Sequence, residues 1–129
     1  MNFKKKLKKL LHLPIQSGSN RVLKLMNRGY TKEHYLELVR HYKQSVSGGL
    51  LSRDIIVGFP TETKEDFLET YELMKEVKFD AAYIFKYSPR PQTKALELKD
   101  DIDKRTKEKR HRIILDLQKD ICSKKKSNN

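Results

Sequence analysis

The sequence predicts an α/β fold built on a parallel sheet, and three observations carry that prediction. Short apolar stretches near residues 12–15, 54–58 and 80–87 each run into a turn-forming segment, HLPIQSGS, VGFPTET and KYSPRPQT. Segments with apolar residues at intervals of three and four, the mark of amphipathic helices, stand between and after them. Strands that alternate with helices pair in parallel, because the helix returns the chain to the edge from which the strand began. In such sheets the loops that follow the strands gather at the carboxyl edge, where ligands bind.

Taken in order, residues 1–11 form a basic amino-terminal segment. Lys4, Lys5, Lys6, Lys8 and Lys9 are interleaved with Phe3, Leu7, Leu10 and Leu11, a spacing compatible with one weakly amphipathic helix or with an irregular start. Leu13 to Ile15 give a short apolar run broken by Pro14. Ser17, Gly18 and Ser19 make a polar turn, with Ser19 placed to cap a helix that turns Val22, Leu23 and Met26 to one side and ends at Gly29. Thr31 caps the next helix, whose inward face is read as Tyr35, Leu38, Val39, Tyr42 and Val46, ended by Gly48 and Gly49.

Leu50 and Leu51 lead into the strand at Asp54, Ile55, Ile56 and Val57, which Gly58 and Pro60 stop. Thr63 and Asp66 have capping-box spacing for a helix over 64–78 that carries Phe67, Tyr71, Met74 and Val77 inward. Phe79 to Tyr87 is rich in aromatic and apolar residues and reads as a further strand, broken at Pro89 and Pro91. After Asp100, Asp101 and Asp103, a long carboxy-terminal helix over about 102–122 presents Ile113, Ile114, Leu117 and Ile121 on one face. Residues 123–129 read as a basic, disordered tail. Acids before that helix and lysines after it complement its dipole.

Composition narrows the function. The 129 residues carry a net charge of +12, with apolar and charged residues each at 36%. The amino-terminal lysines and Lys124 to Lys126 hold most of the excess, so the basicity sits at the two ends. Basic ends attract nucleic-acid phosphates or an anionic membrane surface, but a lysine run is most often a solvated tail. The single cysteine, Cys122, excludes an internal disulfide and a self-contained cysteine-rich metal site. No run approaches a membrane span and the opening residues lack a signal-peptide core, so a cytoplasmic location is expected.

The loops place Gln16, Ser17, Gly58, Thr61, Glu62, Ser88 and Arg90 at one edge. Gly58 permits close backbone approach, Gln16 and Ser17 suit a sugar or carboxylate, and Arg90 suits an anion. Each also has a plain structural reading, as a strand terminator, a cap or a solvated side chain. GFPTETK is not a phosphate-binding loop, since Thr63 and Glu65 stand where glycine and a hydroxyl residue are required. Glu62 is read either as a base or as a carboxylate favoured by a helix start. His12, His34, His41 and His111 show no metal-binding spacing, and no histidine stands near Cys122 to activate it. No catalytic residue and no metal ligand is assigned.

Together, HLPIQSGSNRVLKLMNRGYTKEHYLELV, DIIVGFPTETKEDFLET and FDAAYIFKYSPRPQTKA resemble, in order and spacing, the second half of the radical S-adenosylmethionine methylthiotransferases that modify tRNA. The resemblance covers residues 12–122. It implies a partial (βα) barrel fragment, the carboxyl-side half of a radical domain. It also implies S-adenosylmethionine as cofactor, a four-iron four-sulfur cluster, and tRNA as partner, modified at an N6-modified adenosine near the anticodon. By position, Gln16 and Ser17 would lie near the ribose or amino-acid end of the cofactor, Val57, Gly58 and Phe59 beside its adenine, and Tyr87 to Arg90 at the rim.

The family's cluster ligands, CxxxCxxC, do not occur in this sequence, and Gln92 stands where glycine is common. A cluster needs thiolates on several irons, so the chain is expected to be inactive alone. Two other readings stand beside this one. One is a small basic RNA-binding module; the other is a subunit complemented by the missing barrel half or a cysteine-bearing partner.

Overall fold

The computed structural model describes residues 10–13, 15–46, 49–88 and 101–127. Among them, three strands, β1 (Leu10–His12), β2 (Leu50–Val57) and β3 (Ala81–Lys86), alternate with four helices, α1 (Asn20–Leu25), α2 (Lys32–Ser45), α3 (Lys64–Val77) and α4 (Lys104–Ser127). β2 lies between β1 and β3 and runs parallel to both. No described helix is long and apolar enough to cross a membrane.

The alternation of side chains along β2 sorts the sheet into two faces. Leu51, Arg53, Ile55 and Val57 point one way and are all buried, with Ile84 of β3 beside Ile55 in register. Tyr35 and Val39 of α2, Phe67, Leu73, Met74 and Val77 of α3, and Ile114 of α4 close over them. This is the core, and a side chain such as Ile55, fully buried there, contributes about 1.5–3 kcal/mol. The other face carries Ser52, Asp54 and Ile56, with Tyr83 and Phe85 beside Asp54 and Ile56 in register.

Caps place the helices as the sequence predicts. Ser19, Thr31 and Thr63 are the N-caps of α1, α2 and α3, and Thr63 with Asp66 forms a full capping box. Asp103 takes the equivalent place before α4, accepting from the Thr106 N–H at 2.7 Å. Three tyrosines in and just before α2 tie it to the segment after β1 and to the start of β2: Tyr35 donates to the Leu13 carbonyl, Tyr30 to that of Ile15 and Tyr42 to that of Leu50.

Several expectations shift. The first strand is Leu10–His12 rather than 12–15, so Leu10 and Leu11 belong to the sheet and not to a leading helix; residues 1–9 lie outside the described residues. The chain nevertheless stays beside β2 beyond His12, since Leu13 donates to Ser52 and Gln16 to Asp54, both at 2.9 Å. The register slips on the way, because four steps from His12 to Gln16 match three from Ser52 to Ile55.

β2 begins at Leu50, four residues earlier than expected, where Asp80 brackets Leu51 through its backbone N–H and its carboxylate. α1 ends at Leu25 with Met26 as its C-cap, and the terminating left-handed residue is Asn27 and not Gly29. Asn27 takes a left-handed φ of 62°, and the N–H groups of Asn27 and Arg28 cap Lys24 and Leu23. Leu38, assigned to the core face of α2, is 43% exposed. α4 does not give way to a disordered tail at 123 but continues to Ser127. Lys124 pairs with Asp120 one turn back, and Lys125 reaches Asp80 at 2.8 Å, which gives the basic stretch partners in helical form.

Candidate functional site

The carboxyl edge of the sheet is made where three segments meet. The Ile56 N–H donates to the Gln16 carbonyl, and the Tyr87 N–H donates to the Val57 carbonyl at 2.8 Å, so the loop after β1, the turn after β2 and the end of β3 lie side by side. Gln16, Val57, Gly58, Phe59 and Tyr87 are therefore neighbours, as the sequence predicts for a shared edge. Arg90 lies outside the described residues.

Their side chains are used differently. Gln16 has a left-handed φ of 73°, uncommon for a residue with a Cβ, and its side-chain Oε1 is buried with no hydrogen-bond donor. Ser17 is fully buried. Its hydroxyl accepts from the Ser19 N–H at 3.1 Å and sits 3.4 Å from the Thr70 hydroxyl of α3. Val57 is in the core, and Phe59 is 4% exposed, meeting the edge of the Tyr87 ring at 5.2 Å between centroids. Tyr87 is half-buried.

Gly58 has φ +75°, which accounts for glycine there, but the close approach it permits is to the protein itself. A Cβ would lie 2.5 Å from the Lys107 side chain of α4. Two further contacts hold α4 and the residues leading into it against this turn. The Thr61 N–H donates to Asp101 at 2.7 Å, and Arg110 donates to Glu62 Oε1 at 2.8 Å. The same Glu62 oxygen accepts from the Gly58 N–H at 2.9 Å. Glu62 is thus a buried latch that spans its own turn and binds the last helix. Burial pushes its carboxyl above the usual range, opposed by the Gly58 N–H and by Arg110.

Ahead of this edge, the loop after β1 is fastened to the start of α3. Ser19 donates to Asp66 Oδ1 at 2.8 Å, while the Thr63 N–H, the Thr63 hydroxyl and the Arg21 Nε donate to Asp66 Oδ2. Burial alone would raise the Asp66 carboxyl. The donors from Arg21, Thr63 and Ser19 outweigh it and hold the pKa at about 2. The Gly18 N–H meets the Thr70 hydroxyl at 2.8 Å, and a Cβ on Gly18 would lie 2.6 Å from the Glu69 carbonyl oxygen.

Two groups escaped sequence reasoning. Arg53 is fully buried beneath the sheet, 4.2 Å above the Phe79 ring centroid and 5.9 Å from that of Tyr35, with Nε and Nη1 unpaired. Burial lowers its pKa to about 10 and raises that of Tyr35 to about 12. On the opposite face, His12 Nδ1 and the Ser52 hydroxyl share a hydrogen bond of 2.7 Å, and His12 Nε2 lies 3.6 Å from Asp54 Oδ2. The signal for this second group was the alternation itself, which puts Ser52 and Asp54 on one face of β2 beside the strand that carries His12.

Comparison with known proteins adds the family. Residues 3–74 match the model of the radical SAM superfamily. The chain is 52% identical over 113 residues to the tRNA-2-methylthio-N(6)-dimethylallyladenosine synthase of Aquifex aeolicus, covering 88% of this chain and 26% of that protein. Proteins of the same description from Thermoanaerobacter sp. and Bacillus subtilis are each 50% identical over 115 residues, which is 89% of this chain and 24% and 23% of theirs. The chain spans about a quarter of the length of these relatives.

Proposed function

The chain belongs to the radical SAM superfamily, and from that membership we propose that it forms the carboxyl-side half of the radical domain of a tRNA methylthiotransferase. Its substrate would be an N6-modified adenosine near the anticodon. The identities near 50% to 2-methylthioadenosine synthases along most of the chain support this reading. The strand order supports it too. β1 and β3 are the two edges of the sheet, and among the described residues neither has a further partner, as expected of a wall that other strands complete.

The observation that carries the cofactor assignment is Gln16. A buried side-chain carbonyl without a donor, on a residue held at positive φ at the carboxyl edge, asks for a ligand that donates. The ribose hydroxyls or ammonium group of S-adenosylmethionine supply such donors. Gln16 and Tyr87 would hold the cofactor by side chain, while Val57 and Phe59, whose side chains are buried, and Gly58, which has none, shape the edge through their backbone. When bound beside a reduced cluster, S-adenosylmethionine supplies a radical that starts sulfur insertion.

The cluster does not fit these residues. The one cysteine, Cys122, donates its thiol toward the Asp80 carbonyl at the amino end of β3, the opposite edge from Gln16. The ligands would come from outside this chain, either from another part of the same protein or from a complementing partner.

Titration of the chain with S-adenosylmethionine, followed by amide chemical shifts, tests the assignment. Shifts centred on Gln16 and Tyr87, with affinity lowered about tenfold in Gln16→Ala, are expected. Absence of any shift at this edge would reject it. Anaerobic reconstitution with iron and sulfide should leave the chain without a stable cluster; about four irons bound per chain would overturn that part.

A further inference from the structure

The face of the sheet opposite the core has the makings of a second recognition surface. Tyr83 and Phe85 stand two residues apart on β3, so both point to this face, at a spacing of about 7 Å. Both are about half exposed, at 55% and 54%, an unusual state for two large aromatic residues on one strand. Beside them on β2 stands Asp54, in register with Tyr83. The His12 ring lies 6.3 Å from that of Tyr83, its Nδ1 hydrogen-bonded to Ser52 and its Nε2 facing Asp54 at 3.6 Å.

Flat exposed rings on a sheet suit the faces of a planar heterocycle, and sheets that bind nucleobases use aromatic side chains in this way. A carboxylate next to the rings adds direction. It only accepts hydrogen bonds, so it favours a base that offers an exocyclic N–H over one that offers a carbonyl at the same position. His12 lies against one oxygen of Asp54 and so orients the carboxylate.

Resting on the reading of the chain as part of a tRNA-modifying enzyme, we propose that His12, Ser52, Asp54, Tyr83 and Phe85 form the base-positioning surface. Tyr83 and Phe85 stack the base, and Asp54, oriented by His12, accepts from the N–H at carbon 6 of an adenine. Asp54 is then the residue that determines specificity, and His12 is a positioning residue.

Adenosine and inosine differ at that one position, the first with an amino group and the second with a carbonyl. Titrated into the labelled full chain, both should shift the Tyr83 and Phe85 ring resonances, with adenosine bound about tenfold more tightly. Asp54→Asn, which can accept or donate, should bring the ratio close to one without loss of stacking. His12→Ala should lower the ratio, and Phe85→Ala should weaken both ligands together. Retained amide dispersion establishes that each variant is folded, and Phe85→Leu replaces Phe85→Ala if it is not.

Equal affinity for the two nucleosides, or shifts confined to Gln16 and Tyr87, would overturn the proposal. S-adenosylmethionine, titrated in parallel, separates the two readings. If it binds at Gln16 while the nucleosides leave Tyr83 and Phe85 unmoved, only the base-positioning surface is rejected. If neither edge nor face responds to any of the three ligands, both are.

Discussion

Removal of Arg110 tests whether the turn after β2 is held by α4. Arg110 and Glu62 are 13% and 1% exposed at their side chains, so their pairing is a buried one. Breaking a buried pair from one side leaves an uncompensated charge and costs about 3–5 kcal/mol, whereas the same deletion at the surface costs under about 1. Arg110→Ala should therefore lower the thermal midpoint by roughly 10–15 °C for a domain of this size.

The pH dependence gives the sharper signature. The folded state raises the Glu62 carboxyl above its ordinary value of 4.5 through burial, and losing Arg110 raises it further. A folded state that holds a proton more tightly than the unfolded state loses stability as pH rises through that interval. The gap between wild type and Arg110→Ala should therefore open as pH rises through the raised pKa of Glu62 in the wild type and close at lower pH, where Glu62 is protonated in both. Urea unfolding between pH 4 and 8 measures it. The double variant Glu62→Gln/Arg110→Met should lose less than Arg110→Ala alone, because no buried charge remains. A gap that is under about 1 kcal/mol, or that does not change with pH, would refute the reasoning.

Asp66 should behave in the opposite sense. Its pKa of about 2, against an ordinary 3.8, stabilises the fold by roughly 2 kcal/mol above pH 4, and this is lost as pH falls from 4 toward 2. Asp66→Asn should flatten the acid limb of a stability profile accordingly. Gly18→Ala should cost about 2–3 kcal/mol in urea unfolding, because the new methyl meets the backbone of α3 and not a side chain that can yield. Arg53→Met should stay within about 1 kcal/mol of wild type, since it replaces a guanidinium with two unpaired nitrogens by an apolar group of similar length, while Arg53→Ala leaves a cavity costing about 3.

The parts of the fold readable in the sequence were those decided locally. A cap binds an N–H two or three residues away, so Ser19, Thr31 and the Thr63–Asp66 box announce their helices. Partners far along the chain were hidden. Glu62 looked like a helix-start carboxylate because Arg110 is 48 residues distant, and Gly58 looked open because Lys107 could not be foreseen above it. Leu38 followed the helical period of its neighbours, yet the core takes Tyr35 and Val39, with Leu36 and Tyr42 packed beside them, and leaves Leu38 outside. His12 was weighed as a metal ligand alone, and its actual neighbours, Ser52 and Asp54, come from a strand forty residues on. Of the candidate site, the meeting of the loop after β1, the turn after β2 and the end of β3 was legible, but which atoms remain available there was not.

The latch between Glu62 and Arg110 also orders events during synthesis. As the chain leaves the ribosome, residues 50–88 can pair and cover one another while Glu62 still has no counter-charge, and its carboxylate must stay hydrated or keep its proton. The Gly58 N–H can meet Glu62 within the turn itself, but the Arg110 counter-charge and the cover of α4 arrive only when residue 110 has emerged. The strands of the edge proposed to receive S-adenosylmethionine can therefore join before α4 is made, while the cover over its central turn is supplied last.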